Sequence, residues 1–179
     1  MQTRKKSLFP DLKSLTLAAM LTAMSVVIGI FCKNFLNFGG GLFRITFENL
    51  PIILSGILFG PAVGGAVGIA SDLVSYLLSS QIYPPNLIVT LGACAVGVIS
   101  GLVSRLCIRR KGYLQIVLSV AISHVVGSMI IKTVGLYQIY GILVLWRIPL
   151  YLVITTVESL LLCLLLRRAT VQRLTDYRF

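Results

Sequence analysis

Four cations stand apart in this sequence. Lys33, Arg44, Lys132 and Arg147 each fall in or beside a connection between long apolar segments, and Glu48 is the acid near them in the chain. A guanidinium presents a planar fork that grips a carboxylate with two hydrogen bonds, while an ammonium acts as a point charge. Gathered on one side of a bilayer, such groups form a reception site for an anionic solute. Snorkelling to lipid head groups is the competing reading for any one of them. The most telling run is Arg44-Ile45-Thr46-Phe47 followed by Glu48-Asn49-Leu50-Pro51, which sets a cation, a ring and an acid beside a short apolar segment.

The carboxylates are as informative because they are so few. Of five acids, Asp11 and Asp176 are terminal, and Glu48 opens an apolar segment. Asp72 and Glu158 fall inside apolar segments, where an ionisable group is a functional-site hypothesis by default. Asp72 has two readings. It could accept two hydrogen bonds from an amidine-like edge, such as that of an aminopyrimidinone ring, or it could pair with an internal cation. Glu158 reads as architecture. Phe35, Phe38, Phe43, Phe47, Tyr83, Tyr137, Tyr140 and Trp146 cluster at the same segment ends. An interfacial aromatic belt accounts for most of them, but a flat heterocycle would need rings in the same places. The run Gly39-Gly40-Gly41 is expected to make its loop deformable, as a lid would have to be.

The elements that must hold these groups are membrane helices. The chain has 179 residues, 57% hydrophobic and 12% charged, with a mean hydropathy of +0.96. A soluble domain carries about 25% charged residues. Six apolar segments are expected, at residues 14–31, 45–59, 61–80, 86–107, 113–131 and 143–166, each near the length of a span. Together they make one integral-membrane domain over residues 1–179. The first follows a basic stretch but is long enough for an uncleaved helix. The second is short and contains Pro51. Charge supports it nonetheless. Clusters at Arg4 to Lys13, Arg105 to Lys111 and Arg167 to Arg178 should all lie in the cytoplasm. An even number of crossings between clusters then requires the second segment to span. The expected fold is an all-α membrane protein with six transmembrane helices and both termini cytoplasmic. The four singular cations fall on the outer side.

Several function classes are excluded. The net charge of +11 is accounted for by cations at membrane edges, not by nucleic-acid binding. The four cysteines form no CxxC pair, and His124 has no cysteine or carboxylate within a helical turn, so no metal site is expected. No phosphate loop, no H-E-x-x-H and no G-x-S-x-G occurs, so the chain is not expected to be an enzyme or to hydrolyse ATP. No cofactor is implied. Gly60-Pro61 reads as a tight turn with Pro61 opening the next helix. Gly64 and Gly68 lie one turn apart and suit close helix packing. Ala19 and Ala23 form a similar small-residue face, turned either inward or toward another membrane protein.

The Ala19-x-x-x-Ala23 helix, with six short spans and the Gly60-Pro61 turn, resembles the membrane-embedded substrate-binding (S) component of energy-coupling factor (ECF) vitamin transporters. Arg44-Ile45-Thr46-Phe47, Leu50-Pro51-Ile52, Ser71-Asp72 and Tyr83-Pro84 look like its folate-specific branch. Asn86 stands where the family often has glycine. The resemblance is strongest from Arg44 to Asn86. It implies capture of folate at the outer face of the cell membrane, and delivery inside by toppling once coupled to an EcfT-type transmembrane subunit and two ATPases. It also implies that Ala19 and Ala23 meet that subunit. Arg44 would position the ligand, Lys132 and Arg147 would hold its carboxylates, and Glu48 or Asp72 would take the pterin edge. Phe47, Tyr83 and Trp146 are the candidates for stacking, and Asn86, in the Tyr-Pro loop, is counted among the substrate-binding residues. The alternatives are an S component for another vitamin or a queuosine precursor, and a membrane scaffold without a ligand.

Overall fold

The computed structural model describes residues 12–38, 43–78, 86–106 and 113–167. Apart from a two-residue ladder, these residues are mostly helical. The first helix, α1 (Leu12–Phe35), is an unbroken apolar run without proline. Strands β1 (Asn37–Phe38) and β2 (Phe43–Arg44) follow as an antiparallel pair, with Asn37 opposite Arg44. Helix α2 (Asn49–Phe59) starts after the irregular Ile45–Phe47 stretch. Pro51 falls in its first turn, where a missing N–H leaves no bond unmade.

Gly60 ends α2. Its φ of 93° is left-handed, and its N–H donates to the Gly56 carbonyl at 2.9 Å. Pro61 then opens α3 (Pro61–Leu78), as a proline at a first helical position should. The Arg105 guanidinium packs against Gly60 where a side chain would otherwise stand. The expected tight turn is therefore present. Helix α4 (Leu87–Leu106) follows, capped by Asn86: the Asn86 Oδ1 accepts from the Ile88 N–H at 3.0 Å.

The fifth segment differs from expectation. Helix α5 (Tyr113–Ser123) passes into a π-helical segment (His124–Lys132) and on into α6 (Thr133–Tyr140). Lys132, expected in a connection, lies within this rod. The reason is that its ammonium is satisfied inward, by Asn49 at 3.0 Å, so the helix has no need to stop at the charge. Gly141, with φ 59°, ends the rod. A 3₁₀ turn (Gly141–Trp146) then leads directly into α7 (Arg147–Arg167).

Five of these helical stretches are long and apolar enough to cross a membrane: Leu12–Phe35, Pro61–Leu78, Leu87–Leu106, Leu114–Tyr137 and Gly141–Leu166. Helix α2, with 11 residues, rises only about 16 Å at about 1.5 Å per residue, near half the hydrocarbon thickness of about 30 Å. The exterior suits lipid: Leu77 is 79% and Leu106 82% exposed, among many other large apolar side chains.

Helix α4 lies at the centre, packed on α2, α3, α5, the π segment and α6. Close approach makes this possible. A Cβ on Gly64 would stand 2.5 Å from the Gly97 carbonyl oxygen, so α3 and α4 touch backbone to backbone. The apolar core draws on α1 to α5 and α7: Ala18, Leu50, Ile52, Ile53, Val67, Val96, Val120 and Leu162. Serines buried beside it turn their hydroxyls back onto their own helices, as Ser55 does to Ile52 and Ser123 to Ser119. They add little polarity to the interior.

Candidate functional site

One end of the bundle collects polar groups. The second half of α1, the start of α2, the end of α3, the start of α4 and the end of the π segment meet there. They enclose a narrow cleft with a cavity volume of only about 10 Å³, lined by Ser25, Glu48, Ile52, Ser71, Asp72, Ser75, Ala93 and Lys132. Typical ligand pockets span about 300–1,000 Å³, so a vitamin-sized molecule needs the cleft to widen. Three of the residues singled out in the sequence, Glu48, Asp72 and Lys132, are on its wall.

These three are held by others. The Lys132 ammonium donates to Asn49 Oδ1 at 3.0 Å and pairs more loosely with Glu48 Oε1 at 3.6 Å. The Asn49 amide donates in turn to Ser128 Oγ at 3.3 Å. Ser25 Oγ donates to the Glu48 carbonyl oxygen at 2.7 Å, fixing the start of α2 against α1. Glu48 thus stands at the N-terminus of α2, where the helix dipole favours an anion. Thr90 Oγ1 donates to Asp72 Oδ2 at 2.6 Å, tying α4 to α3. The Lys33 ammonium reaches the Ser75 carbonyl oxygen at 3.4 Å, on the same side of the bundle. Ser71 is 3% exposed and its Oγ has no partner among the described residues.

The lining therefore holds two carboxylates and one ammonium, with hydroxyls between them. Such a wall suits a ligand edge rich in hydrogen-bond donors better than a free carboxylate.

The other expected site residues are dispersed. Arg147, 6% exposed, begins α7 with its guanidinium 5.7 Å from the centre of the Tyr151 ring, and its Nε has no partner among the described residues. Strand β2, whose backbone includes Arg44, packs against α7. Arg147 is not among the residues lining the cleft. Trp146 is 66% exposed. Phe47 is half-buried beside Glu48. The Asn86 side chain is engaged at both ends, since its amide also donates to the Gly135 carbonyl at 2.7 Å and links α4 to α6. Tyr83 and the Gly39-Gly40-Gly41 loop lie outside the described residues. Ala19 and Ala23 are exposed on α1, while Ala18 faces the core. Among the described residues no group of His, Cys, Asp and Glu gathers as a metal site.

Sequence reasoning missed the residues that do the holding: Ser25, Asn49, Thr90 and Ser128. Hydroxyls and one amide in apolar helices carry little signal, because most satisfy themselves on their own turn. It also missed that Glu158 has a partner. His124 Nε2 and Glu158 Oε2 are 2.5 Å apart, both wholly buried, joining the π segment to α7.

Residues 13–175 match the family described as the ECF transporter, substrate-specific component. The chain belongs to that family. An S component is the substrate-binding part of a transporter and not an enzyme, and its long apolar helices are those of a membrane protein. This S component is 28% identical over 120 residues to the folate transporter FolT of Clostridium novyi (strain NT), covering 66% of this chain and 67% of that one. Its fold is also that of a solved FolT structure bound with folic acid, with a TM-score of 0.63 and 24% identity, over 84% of this chain and 89% of the other.

Proposed function

We propose that this S component binds folate in the cell membrane and delivers it inward when coupled to a transmembrane subunit and two ATPases. The observation that carries the reading is the cleft wall: Glu48 and Asp72 beside a single Lys132, in a chain similar to a folate transporter. A pterin ring presents an aminopyrimidinone edge with several donors, which two carboxylates and the serine hydroxyls would accept. The glutamate tail then points away from the acids, toward Arg147 and Arg44. Phe47, Tyr83 and Trp146 are the rings available to the ligand's flat parts, and Asn86 holds the start of α4 at the site. Lys132 would exchange its loose contact with Glu48 for a ligand oxygen, since a 3.6 Å pair yields more readily than a short one.

In this reading the chain is one membrane domain of six crossings, with α2 and the irregular stretch before it completing the second. Both termini are cytoplasmic, and the cleft opens outward. The exposed Ala19 and Ala23 face offers a flat surface for the coupling subunit.

The surplus of acid on the cleft wall favours a second reading, a vitamin with a cationic heterocycle. One experiment separates the two. The detergent-extracted protein is melted with a panel of vitamins, and any co-purifying chromophore is recorded. Folic acid should give the largest stabilisation and a pterin absorbance. Stabilisation by a cationic vitamin alone would support the second reading, and none across the panel would leave a membrane protein without a vitamin ligand.

A further inference from the structure

The π segment joins the cleft to a second polar site that the binding model does not use. Its first residue, His124, contacts Glu158 of α7 at 2.5 Å, and its last, Lys132, contacts Asn49 and Glu48. We propose that His124 and Glu158 are positioning residues for the cleft, acting through the π segment to set where Lys132 is presented. The proposal rests on the folate reading only for the ligand used to test it.

Three observations carry it. First, the pair is not a simple stabiliser. Both side chains are wholly buried, and His124 Nδ1 and Glu158 Oε1 have no partner among the described residues. Buried polar atoms left unmatched are destabilising, and a buried pair of this kind is commonly replaced by apolar side chains without loss of stability. In some proteins a pair of this kind specifies an arrangement, and that is the role assigned to it here.

Second, the arrangement that needs specifying begins at His124. A π-helix is normally a single-turn interruption, yet this one runs from His124 to Lys132. Its wider i to i+5 turn rotates each later residue back relative to an α-helix. The point at which it starts therefore fixes the direction in which Lys132 leaves the rod.

Third, the segment is anchored along one buried stripe. His124 is tied to α7 and Ser128 to Asn49 of α2. Between them, Gly127 packs closely on α4, where a Cβ would stand 3.0 Å from the Gly92 carbonyl oxygen and the Val96 nitrogen. Thr133 Oγ1 reaches back to the Ser128 carbonyl at 3.4 Å, a side-chain bond of the same five-residue span. Freed at His124, the stripe can revert toward α-helical winding, and Lys132 turns with it.

The test uses the full chain in detergent. His124→Leu/Glu158→Leu should melt at or above the wild-type temperature yet bind folic acid about tenfold more weakly, while Glu158→Gln, which keeps an acceptor for His124, should stay within about threefold. On a Lys132→Met background the doubly apolar change should alter affinity less than about twofold, because the coupling runs through Lys132. Wild-type affinity in the doubly apolar chain, or an equal loss on both backgrounds, would overturn the proposal.

A ligand-free readout separates this outcome from failure of the folate reading. In protein labelled with ¹⁵N at lysine side chains, the Lys132 resonance is the one absent from Lys132→Met. It should move in the doubly apolar chain, and also in Glu158→Asp, which shortens the reach to His124 and serves if the larger change does not fold. An unmoved resonance would overturn the positioning role. A wild-type protein with no affinity for folic acid would overturn the folate reading alone.

Discussion

Thr90 Oγ1 donates to Asp72 Oδ2 at 2.6 Å, across the interface between α3 and α4. This one bond holds the cleft carboxylate in a fixed direction. Hydrogen bonds to charged groups contribute about 1.5–3 kcal/mol. If that contribution falls wholly on the bound state, Thr90→Val should weaken folic acid binding by about ten- to a hundredfold, and Thr90→Ser should restore it. Equilibrium binding to detergent-extracted protein checks this, and equal affinity for Val and Ser would remove Asp72 from the site.

Arg147 sits where a cation is poorly placed for stability. It is the first residue of α7, 6% exposed, with its Nε unpartnered among the described residues and the Tyr151 ring beside its guanidinium. Arg147→Gln should change the stability of the ligand-free protein by no more than about 1 kcal/mol, read from its melting temperature. Affinity for folic acid should fall at least about tenfold if the guanidinium meets the glutamate tail. A panel including pteroic acid, which lacks that tail, should show no comparable loss.

Gly64 has no room for a side chain. A Cβ there would stand 2.5 Å from the Gly97 carbonyl oxygen, backbone that cannot give way cheaply. Gly64→Ala should separate α3 from α4 at a cost of about 1–3 kcal/mol, read as a lower melting temperature. Gly141→Ala, at a site with nothing within 4 Å but a φ of 59°, should be destabilising through backbone strain alone, by about 1 kcal/mol.

The Ala19 and Ala23 face predicts a separation of functions. Both residues are exposed on α1, away from the cleft. Ala19→Trp should leave folic acid affinity and melting temperature unchanged while lowering recovery of the coupling subunit and ATPases in co-purification. Full recovery with the variant would place that interface elsewhere.

By itself, the sequence determined the class of molecule. Long apolar runs with few charges allow only helices in lipid, because the backbone must satisfy itself within each segment. Proline and glycine at Gly60-Pro61 marked a turn that the fold contains, for local steric reasons that need no tertiary partner. Glu48, Asp72 and Lys132 were conspicuous because charge is costly in an apolar setting. Tertiary structure alone decided which charges meet. Lys132 lies within a helix because Asn49, remote in the chain, satisfies it. Glu158 was readable as architectural, but its partner His124 lies on a different helix. No local pattern encodes such pairs: each depends on how two helices are rotated and how closely their backbones approach, and that is set by packing around α4.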